Sequence, residues 1–527
     1  MRLLLTAFIL LSAILPQRAA QAAALERGAA ITDPLALREL DLGEHRTSGL
    51  DRAGFGLRAF IPTAPSANAP ILGDELFSLH SMAPVRGALD AEVDRYAARR
   101  RGELPGETIG VGESFGWQMF DRDLLYSPRS RFVLAGIVNR MDRAYLAPEA
   151  CGEIRLIYRL TRLDTAPVGE NATSPRLPMT LNVVLRAKGE KALAPGGIAI
   201  TCKDIANRWL ASADWPQTGV DLAIKLTSAG GPLELIEPGN IDRIETNLQI
   251  AHAPKSAIRD FRTDYLLKVF RYNAEAREFQ EAPMENQIDR DRILADNGLR
   301  HEFKAWLLDP KHLAEFDRGM ALIPEKFLAN GAIAATPVGF DASTLQPEFG
   351  LMQGEGANPV FAESDVVAAL KKAAANGVKL QNIRSVGGFE RRLNDVTCSG
   401  CHQTRGIGGF HFPGVDWMAA KPSNSTVVPA SPHFFGDQIR RRDILNSVKW
   451  GIGPDYSRGF SSRPQQRSSA ELAGTEYSDG WGAHCYAPGK PAADNDASFR
   501  SWTCAEGLAC QMAGKASRMG MCFVKTH

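Results

Sequence analysis

The runs Phe132-Val133-Leu134-Ala135-Gly136-Ile137-Val138, EIRLIYRL (153–160) and MTLNVVL (179–185) decide the fold. The first is a short apolar run. The other two alternate polar and apolar residues, which is the two-residue period of a strand with one buried face. Three such runs in succession predict neighbouring strands. Cys202–Ala211 then reads as a helix, and strands resume at Ile244–Ile250 and Tyr265–Tyr272. Helical patterning dominates Ile288–Phe316. Glu363–Asn376 (ESDVVAALKKAAAN) is a helix that Gly377 closes. Phe389–Val396 is a further helical stretch. Before the strands, residues 23 to about 125 are rich in Ala, Arg, Pro and Gly. There, Pro62–Pro70 reads as a loop and Asp90–Arg101 as a short polar helix.

The chain has 527 residues, more than one ordinary core at roughly 150 residues per domain. Its 61 basic and 60 acidic residues nearly cancel. That balance points away from nucleic acid and from anionic membrane surfaces as partners. The N-terminus reads as a signal peptide. Arg2 is the positive region, Leu3–Leu15 the apolar region broken by Pro16, and Ala20-Gln21-Ala22 the small-residue cleavage site. Cleavage near Ala22 or Ala24 would place the protein in the periplasm or outside the cell. No later run approaches the roughly 18 apolar residues of a membrane span, so the mature chain is expected to have no stable span. The cleavage region has no lipobox-like Cys.

An oxidising compartment changes how cysteines are read. There are eight: Cys151, Cys202, Cys398, Cys401, Cys485, Cys504, Cys510 and Cys522. Cys151 lies just before a strand and Cys202 at the start of a helix, so a bridge between them would staple the two. Residues 459–470 (GFSSRPQQRSSA) read as a linker. After it, Tyr477–Cys522 carries four cysteines spaced C-x18-C-x5-C-x11-C. Disulfides suit so small a module. Zinc fits less well, because paired C-x2-4-C ligands are missing.

The chemical motif is Cys398-Ser399-Gly400-Cys401-His402. Two thiols three positions apart can reach the two vinyl groups on one haem edge. The adjacent His can then turn under the ring to the iron. The stretch resembles the attachment site of c-type cytochromes, strictly over five residues and loosely over TCSGCHQTRGIGGFH. The resemblance implies one covalent haem c on Cys398 and Cys401, with His402 as proximal ligand. For the sixth position Met418 is preferred, His411 is the alternative, and His433 lies further on. An open sixth position would instead favour peroxide or oxygen chemistry, with His411 as a distal acid–base group. Arg405, Arg440, Arg441 and Arg442 are candidate partners of haem propionates. The plainer reading of at least two of the three consecutive arginines is a solvated helix face. Cys398 and Cys401 could also form a redox or structural disulfide, or join His402 at a metal.

Weaker signals add little. Gly112-Glu113-Ser114-Phe115-Gly116 matches a hydrolase elbow but reads better as a glycine-rich turn. Asp494 and Asp496 lack the full calcium-loop pattern.

The expected fold is α+β: a mixed or antiparallel sheet region, then a mainly helical haem-bearing segment, then a small disulfide-stapled module. The expected boundaries are a signal peptide at 1–22, an α+β region at 23–355, the haem segment at 356–458, a linker at 459–473 and the module at 474–527. The expected function is periplasmic electron transfer or haem-dependent oxidation, with a redox protein or a small molecule as partner. An oxidase or peroxidase is a variant of it. The alternative is a non-redox exported binding or structural protein whose C-x-x-C is a disulfide.

Overall fold

The computed structural model describes residues 28–43, 54–65, 69–163, 176–189, 199–253, 262–336, 360–397, 437–458, 484–486, 508–512 and 519–524. Ten strands form one sheet: β1 (Ala30–Ile31), β2 (Ile109–Val111), β3 (Trp117–Met119), β4 (Ser130–Arg140), β5 (Glu153–Arg162), β6 (Arg176–Arg186), β7 (Ile241–Ala253), β8 (Arg262–Asn273), β9 (Glu278–Ala282) and β10 (Gly331–Thr336). The spine runs β1-β4-β5-β6-β7-β8. β3 extends the edge of β7 beyond β6, with β2 outside it, and β9 and β10 share the outer edge of β8. Only β2 and β3 are parallel. The antiparallel ladder follows from the alternating runs, each joined to the next by a connection that reverses the chain.

Local chemistry sets the joints. Cys151 and Gly152 both adopt positive φ, +58° and +82°, where the chain turns into β5. A side chain at Gly152 would strike the carbonyl oxygen of Arg140, 2.5 Å from its Cβ. The helix Cys202–Ala211 starts at a capping box: Thr201 Oγ1 accepts from the Asp204 N–H at 3.2 Å, and Asp204 accepts from the Thr201 N–H at 2.8 Å. Cys151 and Cys202 are disulfide-bonded, as their strand and helix positions suggested.

Alternation along β5 and β6 promised one buried face, but both faces are buried. Leu156, Tyr158 and Leu160 of β5, Leu181, Val183 and Leu185 of β6, and Ile244, Leu248 and Ile250 of β7 face a large apolar core. The helices Pro34–Leu42, Ala83–Glu103, Cys202–Ala211 and Gly219–Thr227 contribute to that core. On the opposite face Arg155, Arg159, Thr180, Asn182, Glu245 and Asn247 are each at most 5% exposed. The polar half of the pattern is therefore a second interior.

The expected α+β arrangement is corrected in its main feature. A ten-stranded, almost wholly antiparallel sheet dominates, and among the described residues no separate helical haem-bearing segment follows it. The helices Glu363–Ala375 and Val386–Asp395 share a core with Arg290–Ala295, Asn297–Leu307 and Pro310–Asp317, around Phe303, Phe316, Phe327 and Phe361. The helix Gln438–Trp450 instead packs on Cys202–Ala211 and buries Ile444 and Leu445 in the sheet's core. A helical period reports one apolar stripe and is silent about which core receives it. Near the C-terminus β11 (His484–Tyr486), β12 (Leu508–Met512) and β13 (Met519–Val524) form a separate antiparallel sheet, with Cys510 opposite Cys522 in register. Cys504 lies outside the described residues. Among the described residues, no helix is long and apolar enough to cross a membrane.

Candidate binding site

The buried polar face ends in a charged cavity. β4 ends where β5 and β7 begin, so register sets Glu153 opposite both Arg140 and Arg186, and Glu245 opposite Asn182. Each strand offers its charges two residues apart, hence on one face: Glu153 and Arg155 on β5, Arg243 and Glu245 on β7. Glu153 accepts from Arg155 at 3.0 Å and from Arg243 at 2.9 Å, and lies 3.1 Å from Arg143. Glu245 accepts from Arg155 at 2.9 Å and from Arg243 at 3.0 Å. Arg143 also pairs with Glu285. These groups line a cavity of about 970 Å³, together with Tyr145, Arg271, Met284, Val396 and Arg458.

Asn286 holds one wall. Its backbone takes a positive φ of 59°. Its amide donates to the Ala321 carbonyl at 2.9 Å and accepts from the Ile323 N–H at 2.9 Å. Arg392 ties the helical core to the wall by donating to the carbonyls of Asp317 at 2.9 Å and Arg458 at 2.8 Å.

A second charged cluster adjoins the first. Asp142 accepts from Arg140 at 2.8 and 3.1 Å, from Arg440 at 2.8 Å and from Arg458 at 2.6 Å. Asp437 accepts from Arg440 at 2.7 and 2.9 Å and from Arg441 at 2.9 Å.

The electrostatics follow from these partners. Burial opposes the charge on Glu153, but Arg143, Arg243 and Arg155 hold its carboxyl well below the usual range. Burial likewise opposes the charge on Asp142, and Arg140, Arg440, Arg441 and Arg458 overcome it. Glu285, more exposed, is held below the usual range by Arg143. These three carboxylates stay ionised at neutral pH. They suit recognition of charge better than acid–base catalysis, which needs a group that titrates near the working pH.

Thr180 and Asn247, paired across β6 and β7, continue the polar face inward beside Asn182. Thr180 Oγ1, Asn182 Oδ1 and both side-chain polar atoms of Asn247 are buried without a hydrogen-bond partner. Such atoms mark places for ordered water or ligand.

Cys398, Cys401, His402, Arg405, His411, Met418 and His433 all lie outside the described residues. Val396, two positions before Cys398, is at the cavity wall. The expectation of a covalent haem c is corrected. Among the described residues, no group of three or more His, Cys, Asp or Glu is placed to hold a metal, and the cysteine pair they do hold, Cys151–Cys202, is a disulfide. Arg440 and Arg441 are not on a solvated helix face: both enter the Asp142–Asp437 cluster, and Arg442 is half-buried. Gly112–Gly116 is an exposed turn between β2 and β3, with Gly112 at φ +110°. Sequence reasoning passed over Glu153, Arg155, Arg243 and Glu245. The available signal was an opposite-charge pair two residues apart on each of two strands.

No protein-family model, curated protein or solved structure matches this chain.

Proposed function

We propose that the chain is an exported, non-redox binding protein that takes a small polar molecule bearing charges of both signs into the cavity at the end of the sheet. One observation carries the reading: cations and carboxylates are interleaved around a cavity of about 970 Å³, at the upper end of the size typical of small-molecule sites. Paired wall charges with fixed geometry read charge pattern and shape, and a zwitterion complements both signs at once. Amino-acid derivatives and short peptides fit that description. The Cys151–Cys202 bridge supports export, since such bonds persist in oxidising compartments. The signal-like N-terminus supports it too.

A thermal-unfolding panel tests the ligand class. Zwitterionic dipeptides should raise the unfolding midpoint, whereas neutral sugars of similar size should not. Equal responses to both would reject the assignment.

A redox role at Cys398 and Cys401 is the second reading, favoured by the C-x-x-C-H sequence and by Val396 at the cavity wall. The exported chain should be examined by intact mass and by thiol titration across a series of redox buffers. The mass of the bare polypeptide with Cys398 and Cys401 oxidised to a disulfide supports the binding reading. Cys398 and Cys401 that cycle reversibly between dithiol and disulfide would overturn it in favour of the redox reading.

A further inference from the structure

Most charges on the cavity wall are already taken. The members of the Glu153 and Asp142 clusters hold one another. Arg271 pairs with Glu325 at 2.7 Å, Asp242 pairs with Arg243 at 2.7 Å, and Arg186 donates to the Gly239 carbonyl at 3.1 Å. Two charged residues of the wall remain, Lys188 and Glu149. Neither side chain makes a hydrogen bond or ion pair among the described residues, not even with the other.

One is a cation and the other a carboxylate, and they sit on segments that touch. Glu149 is the middle residue of the one-turn helix Pro148–Ala150, and Lys188 lies just past the end of β6. The Lys188 N–H donates to the Ala150 carbonyl at 3.0 Å, and the Ala187 N–H donates to the Gly152 carbonyl at 3.1 Å. The turn is also anchored from behind. Cys151 ends it at a φ of +58° and is disulfide-bonded to Cys202. The two backbones are therefore fixed relative to each other. Their side chains lie towards solvent, Glu149 exposed and Lys188 partly buried.

A wall charge that is already paired meets a ligand only by sharing its partner, and separating a buried pair is expensive. Lys188 and Glu149 have only water to give up. A lysine ammonium donates and cannot accept, and an ionised carboxylate accepts and cannot donate. Lys188 therefore suits the anionic end of a ligand and Glu149 the cationic end, through the stronger, charge-assisted class of hydrogen bond. A ligand with one charge leaves one of the two unmet. A zwitterion engages both.

We infer that Lys188 and Glu149 are the specificity-determining pair of the cavity: Lys188 takes the carboxylate of the ligand and Glu149 its ammonium group, so the site selects amino-acid derivatives and short peptides with both ends free. The inference rests on the zwitterion reading of the cavity and adds which wall charges contact the ligand and which end each one takes.

The test is calorimetric titration of the full exported chain with three probes: dialanine, N-acetyl-dialanine and dialanine amide. Wild type should bind dialanine about tenfold more tightly than either blocked form, since each has lost one charged contact. Glu149→Gln should weaken dialanine about tenfold and leave N-acetyl-dialanine, which has no ammonium group, unchanged. Lys188→Met should weaken dialanine by a similar factor and leave the amide, which has no carboxylate, unchanged. Arg271→Gln removes a cation that is already paired, and should stay within about twofold of wild type. Dialanine affinity unchanged in both Glu149→Gln and Lys188→Met would overturn the assignment and leave the cavity reading standing. So would a blocked form that wild type binds as tightly as dialanine, or an equal loss for all three probes in either variant. A loss in Arg271→Gln as large as in Lys188→Met would also overturn it, because affinity would then follow the overall charge of the wall. A wild type that does not bind dialanine would overturn the cavity reading and this assignment with it.

Discussion

One face of the ten-stranded sheet is closed mainly by hydrocarbon, and the other combines buried charge with a smaller apolar cluster around Ile157, Leu267 and Val269. The first gathers Leu156, Leu181, Ile244 and Leu248 under helices. The second gathers Arg155, Asn182, Glu245 and Asn247 at equal burial. The two interiors have opposite energetics. Apolar burial stabilises by about 25 cal/mol per Å² removed from water. Buried ion pairs gain little net, because desolvation offsets attraction, yet breaking one is expensive. The hydrocarbon face therefore supplies stability, and the charged face supplies a fixed arrangement of charges. A site that must hold its shape without a ligand is better built on the second.

Glu153 is where the contrast breaks most visibly. Glu153→Gln leaves Arg143, Arg155 and Arg243 short of a shared counter-charge. The expected loss is about 4 kcal/mol in urea unfolding, as for other broken buried pairs. A loss under about 1 kcal/mol would mean that the face is wetter than its burial indicates. On the hydrocarbon face, Leu156→Ala should cost about 3 kcal/mol through lost transfer energy and a cavity. Unlike Glu153→Gln, its cost should not change with salt.

The pH profile sharpens the comparison. Burial pushes Asp41 up to about 6, against Arg131. Unfolded Asp titrates near 3.9, so the native chain binds the proton first, and stability rises as pH falls from about 6 to 4. The expected gain is on the order of 2–3 kcal/mol. Glu153 and Asp142 act in the opposite sense. Their low native values add stability above about pH 4, lost as pH falls below it. Asp41→Asn should flatten the slope between about pH 4 and 6 while keeping the loss below. An unchanged slope in the urea midpoint would remove Asp41 from the account.

The smallest effect lies outside both interiors. Arg95 and Glu92 pair at 2.6 Å on the outer side of the helix Ala83–Glu103, with the Arg95 side chain 68% exposed. Arg95→Ala should change stability by less than about 0.5 kcal/mol, the usual size for exposed pairs. A larger change would blur the distinction between solvated and buried charge.

What the sequence revealed divides along the same line. Strand and helix periods are local, so EIRLIYRL, MTLNVVL and ESDVVAALKKAAAN could be assigned from their own residues. The Cys151–Cys202 bridge was legible because each cysteine sits at an element boundary. Closure of the polar face was not, because Arg155 finds Glu245 90 residues away and Arg440 finds Asp142 298 residues away. Alternation tells that a strand has a polar side; only tertiary pairing tells whether that side meets water. The Cys398–His402 motif was the clearest chemical signal in the sequence, yet the site argued here lies on strands whose charges had looked like a solvent face.

Calorimetric titration of a zwitterionic dipeptide is the most direct test that the charged face is a binding site. Wild type should bind it, and the double variant Arg143→Met/Glu285→Gln, which removes a paired cation and carboxylate from the cavity wall, should bind at least tenfold more weakly. Equal affinity in the two, or no binding by the wild type, would contradict the account.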